Sequence, residues 1–330
     1  MKRYATRHGL GCVALLGAVL SIVPSAYADE AIVLDPALKG YIKVSGVSGN
    51  VNSIGSDTLN NLMTLWAEGF RKQYPNVKIQ IEGKGSSTAP PALIEGTALL
   101  GPMSRMMKNT EVDAFERKFR YKPTAFPVAI DALAVYVNKD NPVQGLTMAQ
   151  VDAIFSKSRR WGHPENIQFW KQAGLNDDLG NSPISIYGRN SASGTYGFFK
   201  EHALKNGDYK DEVKEQPGSA SVVQSVSEDQ AGIGYSGIGY LTSNVRAVPL
   251  AEKDGAPLKE ASQQNADDGS YPLWRHLYLY VNKAPNKPLD PIVAEFIKFI
   301  YSKEGQKVVV KDGFFPLKAD TIEKELKKLD

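Results

Sequence analysis

Thiols and imidazoles are scarce in this 330-residue sequence, which has one cysteine, Cys12, and four histidines. Cys12 lies in an N-terminal segment that reads as removable. The chain from Asp29 onward is therefore expected to have no disulfide and no cysteine metal site. Its three histidines, His163, His202 and His276, are widely separated and lack metal-ligand spacing, which argues against a metallohydrolase and leaves no metal or cofactor expected. No Gly-x-Ser-x-Gly elbow surrounds Ser86, Ser193 or Ser236, so a serine hydrolase lacks its nucleophile turn. A Gly-x-x-x-x-Gly-Lys-Ser/Thr phosphate loop is also missing. Gly232-x-Gly234 and Gly237-x-Gly239 lack the spacing of a dinucleotide fingerprint and read as tight turns.

Excess charge is lacking too, once the N-terminus is set aside. The formal net charge is +3, from 39 Lys and Arg against 36 Asp and Glu. Three of the basic residues, Lys2, Arg3 and Arg7, fall within residues 1–28, which hold no carboxylate. The remainder is neutral and has no basic run, so a nucleic-acid partner is not expected. The same 28 residues have the layout of a secretory signal: a basic start, an apolar run from Gly9 to Val23, Pro24, then Ser25-Ala26-Tyr27-Ala28 before Asp29. The run of about 15 residues is shorter than the roughly 20 that span a bilayer. Cleavage after Ala28 and a periplasmic location are expected, with secretion or surface display as a further destination.

What is present is a globular pattern. Hydrophobic residues make up 42% and charged residues 23%, which excludes a disordered or fibrous chain. The length suggests two domains. Leu59, Leu62, Met63, Trp66 and Phe70 form one apolar helical stripe, and Val77, Ile79 and Ile81 alternate as a strand does. Further helices are expected over about 110–120, 147–156, 194–205, 219–228 and 290–303. The last carries Ile292, Val293, Phe296, Ile297 and Ile300 on one face. Short strands alternating with helices predict an α/β protein. Residues 157–183 and 251–272 are polar and read as loops or surface insertions. One echo stands out: Ala134-Val135-Tyr136-Val137-Asn138-Lys139 recurs as Leu279-Tyr280-Val281-Asn282-Lys283. It reads either as a coincidence of Val- and Tyr-rich strands or as two strands on which the chain passes between lobes.

Three segments share a strand, then Gly, Ser and Thr, then an apolar helix: Gly55-Ser56-Asp57-Thr58-Leu59, Gly83-Lys84-Gly85-Ser86-Ser87-Thr88, and Gly188-Arg189-Asn190-Ser191-Ala192-Ser193-Gly194-Thr195. Such junctions expose unpaired helix amides, admit an anion closely at glycine and add hydroxyl donors. Any one of them is also an ordinary helix cap. Three together, one containing an arginine, favour a small tetrahedral oxyanion over a nucleotide.

These junctions, together with Gly101-Pro102-Met103-Ser104-Arg105, Ile130-Asp131-Ala132-Leu133, Gln216-Pro217-Gly218-Ser219-Ala220 and Gly232-Ile233-Gly234-Tyr235, occur in an order that closely resembles the periplasmic phosphate-binding proteins of the phosphate ABC transporter. The resemblance covers nearly all of the chain after residue 28. It implies a type II periplasmic binding protein fold of two α/β lobes, each a mixed sheet flanked by helices, joined by a two-strand hinge. Lobe I would hold 29–130 and 277–330, and lobe II 131–276. Thr58, Leu59 and Ser86 would donate to phosphate from one lobe. Arg189, Ser193, Gly194 and Thr195 would close from the other. Well-known members place an acceptor carboxylate directly after the segment matching Gly101 to Ser104, where this chain has Arg105. Asp131 is the expected substitute, with Arg105 as a second cation or an orienting partner.

A carboxylate matters because hydrogen phosphate carries a proton to donate and sulfate carries none, so a buried acceptor favours the first and repels the second. The resemblance implies a monomeric, non-enzymatic protein that delivers phosphate to an inner-membrane permease. No ATP-binding motif is present for transport by this chain alone. Other readings are a binder of sulfate or molybdate, a surface-adhesive phosphate binder, or weak phosphatase activity.

Overall fold

The computed structural model of the chain describes Met1 and residues 31–329. Apart from Met1, the expected signal segment lies outside the described residues. Contacts divide the chain into Met1–Ala31 and Ile32–Asp330, and everything below belongs to the second unit. Among the described residues no helix is long and apolar enough to cross a membrane.

The order is β1 (Gly49–Ile54), α1 (Asn60–Gln73), β2 (Val77–Glu82), α2 (Ala89–Glu95), β3 (Gly101–Met103), α3 (Asn109–Phe119), β4 (Thr124–Asn138), β5 (Leu146–Thr147), α4 (Met148–Phe155) and β6 (Ser185–Arg189). It continues with α5 (Gly194–His202), β7 (Lys214–Gln216), α6 (Ser219–Ser227), β8 (Gly232–Gly237), β9 (Val245–Ala247), β10 (Leu250–Ala251), α7 (Gln263–Asp267) and β11 (Trp274–Val281). Helices α8 (Pro291–Ile300), α9 (Lys303–Lys311) and α10 (Ala319–Leu326) close the chain.

The apolar stripes decide the packing. Leu59, Leu62, Met63, Trp66 and Phe70 are all buried, as are Ile292, Val293, Phe296, Ile297 and Ile300 of α8. The two helices meet where Phe70 and Phe296 stand edge to face, 5.2 Å between centroids. Each such side chain contributes roughly 1.5–3 kcal/mol by leaving water. Trp66 keeps its indole N–H satisfied at the carbonyl of Gly305, 2.8 Å away. Helix starts follow their sequence signals: Thr147 and Gln150 exchange reciprocal hydrogen bonds at the head of α4, and Asp290 with Pro291 opens α8.

Strand β4 organises the two lobes. Over Thr124–Ala132 it runs antiparallel to β11, which also pairs with β3. From Leu133 onward it exchanges β11 for β8 and β9. Strand β6 then joins β8 and β7 in parallel, giving the order β3-β11-β4-β8-β6-β7, a mixed sheet. A separate parallel pair, β1 with β2, lies on the side of α1. Both echoed segments sit on β4 and β11, but on opposite sides of the change of partner: Ala134–Asn138 pairs with β8 and β9, whereas Leu279–Val281 pairs with Phe126–Thr124.

The two polar stretches are more than surface loops. Trp170 is buried and ties 157–183 to the body through the Ala231 carbonyl, 3.0 Å away. Tyr271, also buried, donates to the Leu133 carbonyl at 3.1 Å and fixes 251–272 beside the point where β4 changes partner.

Candidate functional site

The three Gly/Ser/Thr junctions converge. Each strand ends, the chain turns, and a helix begins with a hydroxyl residue: Thr58 before α1, Ser86 before α2, Ser193 and Thr195 at α5. Two glycines make the approach possible. Gly85 has φ +115°, and a Cβ there would stand 2.5 Å from the Ala192 carbonyl oxygen. A Cβ on Gly194 would lie 2.2 Å from Ser86 Oγ and 2.6 Å from Ser104 Oγ. A side chain at either position displaces the opposing wall.

At the centre, Thr58 Oγ1 and Thr195 Oγ1 are 2.9 Å apart, Ser104 Oγ is 3.4 Å from Thr195 Oγ1, and Ser86 Oγ is 3.3 Å from Ser104 Oγ. Ser86 Oγ also accepts the Ser104 amide at 3.0 Å. All four residues are buried. A hydroxyl both donates and accepts, so this cluster can re-aim its hydrogens around an anion without leaving any oxygen unsatisfied. Ser193 uses its oxygen to cap α5, accepting from the amides of Thr195 (3.1 Å) and Tyr196 (3.3 Å), and keeps its own hydrogen to donate. Leu59 sends its side chain into the core, so any part it plays at the cluster is through its backbone.

Two buried guanidinium groups flank the hydroxyls. Arg275, from β11, stands in register with Asp131 on β4. Its Nε and Nη2 donate to Asp131 Oδ2 at 2.9 and 2.7 Å. Nη1 reaches the Ser104 carbonyl at 2.8 Å, and Nη2 also reaches Thr195 Oγ1 at 3.0 Å. Burial pulls the Arg275 pKa down, and the charge of Asp131 opposes that pull. Asp131 Oδ1 accepts the Ile238 amide at 2.9 Å. Three of the carboxylate's roughly four acceptor positions are therefore in use, and one remains.

Arg189 ends β6 on the other flank. Its Nη1 donates to Ser219 Oγ at 2.7 Å and its Nη2 lies 3.2 Å from Asp57 Oδ2. Its Nε is buried and has no partner among the described residues. Burial again lowers the pKa, against the charge of Asp57. Asp57 Oδ2 accepts the Ser219 amide at 2.8 Å, at the head of α6. The Tyr240 hydroxyl donates to the carbonyls of Asp57 (3.1 Å) and Thr58 (3.2 Å).

Arg105 is placed differently from the sequence expectation. Its Nη1 and Nη2 form a two-pronged pair with Glu111 at 2.7 and 2.8 Å, and they also reach the Met106 carbonyl and Ser87 Oγ. Glu111 is the third residue of α3, so a helix start captures this arginine. The cation that meets Asp131 is Arg275.

Sequence reasoning thus passed over Arg275, Asp57, Ser219 and Tyr240. Arg275 had a signal: it shares the buried parity of Leu277 on β11 and of Leu273 just before it, and Trp274 and His276 take the other. Gly218-Ser219 repeats the Gly-Ser helix start of the other junctions. Among the described residues no group of three or more His, Cys, Asp or Glu is placed to hold a metal ion.

A family model described as a PBP superfamily domain matches residues 43–304. A phosphate-binding protein PstS of Pseudomonas aeruginosa is 59% identical over 316 residues, covering 96% of this chain and 98% of its own. PstS of Staphylococcus haemolyticus is 30% identical, with 86% of each chain covered. Among solved structures, a Clostridium perfringens protein assigned as a phosphate ABC transporter substrate-binding protein, with bound phosphate, superposes with a TM-score of 0.69 at 28% identity. That match covers 82% of this chain and 100% of the other. The chain belongs to the PBP superfamily, among the phosphate-binding proteins that include PstS.

Proposed function

We propose that this protein binds inorganic phosphate in the periplasm and presents it, as a monomer and without chemical change, to an inner-membrane ABC permease. The observation that carries the reading is the convergence of the Thr58, Ser86, Ser104 and Thr195 hydroxyls between two buried arginines. Donors fixed in a water-poor site suit a small tetrahedral oxyanion. The names of its relatives support phosphate as that ion, and residues 1–28 support export.

Lobe I comprises 29–130 with 277–330, and lobe II comprises 131–276. The change of partner at Ala132 and Leu133 along β4 supports this division. Phosphate enters between open lobes. Thr58, the Leu59 backbone, Ser86 and Ser104 donate from one side, and Arg189, Ser193, Gly194 and Thr195 from the other. Only the closed arrangement offers both halves of the clamp, so phosphate shifts the population towards closure, and the permease reads the closed shape. Asp131 holds Arg275 and offers its remaining acceptor position to the phosphate proton. Arg105 sits behind the clamp, paired with Glu111. Discrimination against sulfate then draws on Asp131 and on the hydroxyl oxygens, each of which favours a ligand that can donate.

The test is calorimetric titration of the mature chain, freed of ligand by unfolding and refolding, with phosphate and then sulfate. One-to-one phosphate binding that sulfate does not displace is expected. Preference for sulfate, or no heat with either anion from a folded sample, contradicts the reading.

A further inference from the structure

The Gly188–Thr195 junction is backed by a group of packed aromatic rings. Phe199 of α5 lies flat on Tyr235 of β8, with centroids 4.0 Å apart and planes 6° from parallel. Tyr209, between α5 and β7, stacks on Tyr196 of α5 at 4.5 Å. Phe155, at the end of α4, stands edge-on to both Phe199 and Tyr235. Phe155, Phe199 and Tyr235 are all buried.

A buried phenol needs partners for its hydroxyl, and the two here are joined in a line. The Arg189 amide donates to Tyr235 Oη at 3.2 Å. Tyr235 donates to Tyr209 Oη at 3.0 Å, and Tyr209 donates to the Tyr196 carbonyl at 2.9 Å. Each hydroxyl accepts once and donates once, so the chain runs in one direction. Burial raises the pKa of both phenols, so each keeps its proton to donate. Strand β6 pairs with β8 only as far as Tyr187, and the Tyr235 hydroxyl takes the Arg189 amide beyond the end of that ladder. Gly188 admits the ring: a Cβ there would stand 3.3 Å from Tyr235 Oη and 2.8 Å from a Val213 methyl.

We propose that Tyr235 and Tyr209 are positioning residues for phosphate, a brace that spans the loop from Arg189 to Tyr196 and sets that half of the clamp before the ligand arrives. The braced loop carries Arg189, Ser193, Gly194 and Thr195, whereas neither phenol belongs to the hydroxyl cluster. Tying the strand end to the first turn of α5 holds those donors at one spacing, so phosphate has less of the loop to order on binding. Removing either hydroxyl breaks the link between the two ends, and the two should therefore act as one unit. The consequence for phosphate rests on the functional reading above; the brace itself does not.

The experiment is phosphate calorimetry on the full mature chain carrying Tyr235→Phe, Tyr209→Phe or both, with hydrogen exchange followed by mass spectrometry over residues 187–197. Tyr301→Phe serves as the comparison, because Tyr301 is also buried and its hydroxyl donates to the Pro127 carbonyl at 2.8 Å, outside the loop. Each single variant of the brace should weaken phosphate about tenfold, and the double variant no more than about twofold further. Exchange over 187–197 should quicken in all three without phosphate, while exchange over α1 stays the same. Tyr301→Phe should lower the melting temperature and hold phosphate affinity within about twofold of wild type. Affinity within about twofold of wild type in both single variants overturns the proposal, and so does an equal loss in Tyr301→Phe. Single effects that multiply to about a hundredfold in the double variant overturn the relay. If Tyr235→Phe does not fold, Tyr209→Phe decides by the same criteria. A wild-type chain that takes no phosphate defeats the functional reading instead, and exchange over 187–197 then decides the brace alone.

Discussion

Two arginine–aspartate pairs, each with a buried arginine, flank the hydroxyl cluster, and they are built differently. Asp131 and Arg275 are cross-strand partners on β4 and β11, nearly inaccessible, with two donors on one carboxylate oxygen. The sheet itself fixes that geometry. Asp57 and Arg189 come from a turn and a strand end on different sheets, share one contact of 3.2 Å, and leave Asp57 24% exposed. Asp57 also takes the first amide of α6. The first pair is framework that holds a cation in place; on the proposed division into lobes, the second would be a catch that releases when they part. Charge and residue type are the same in both, so it is the backbone beneath each pair that separates the roles.

Breaking the framework pair should have the largest effect. Asp131→Asn leaves the Arg275 charge buried without compensation, a loss of about 3–5 kcal/mol and on the order of 10 °C in melting temperature. Thermal melts check the loss. Phosphate and sulfate competition on the same variant should show a falling preference for phosphate, and an unchanged ratio removes Asp131 from selectivity. Gly194→Ala comes next, because the new methyl collides with Ser86 and Ser104. Overpacking of about 1–3 kcal/mol should weaken phosphate roughly 5- to 150-fold in calorimetry, with little change in the melt of the phosphate-free chain.

Asp57→Asn should be milder. Losing one charge-assisted contact at a part-exposed site costs about 1 kcal/mol, read as phosphate leaving about fivefold faster in stopped flow while stability stays the same. If this variant melts as early as Asp131→Asn, the distinction between catch and framework fails.

The smallest effect is at Asp312, whose carboxyl accepts from Asn61 and whose backbone abuts Gly239. Burial raises its pKa to about 6, and the Asn61 hydrogen bond opposes the rise. An acid whose pKa is higher folded than unfolded gives stability that is present below about pH 4 and lost as the pH rises through about 6. Asp312→Asn should therefore stabilise the chain at pH 7.5 by on the order of 1 kcal/mol, after allowing for solvent, and leave it nearly unchanged at pH 4.5. Melts at the two values decide it.

The same contrast governs what the sequence makes legible. The α1 and α8 stripes are visible because a helix with one buried face repeats its apolar residues every turn. Strand β4 is read only in fragments, since burial on both faces erases alternation from Val128 to Val137. Thr58, Ser86 and Thr195 are legible because Gly, Ser and Thr at a helix start are a local pattern. The pairing of Arg275 with Asp131 spans 144 residues, and no local pattern encodes a contact that only the strand register creates. Arg105 shows the converse: Glu111, six residues on at the head of α3, was a local competitor for its guanidinium.

The most direct measurement is diffraction from crystals of the mature chain grown with arsenate, a heavy tetrahedral stand-in for phosphate whose anomalous signal marks its position. One strong peak within about 4 Å of the Thr58, Ser86, Ser104 and Thr195 hydroxyl oxygens, beside Arg275, is predicted. A peak elsewhere, with the hydroxyls still bonded to one another, contradicts the assignment of the site.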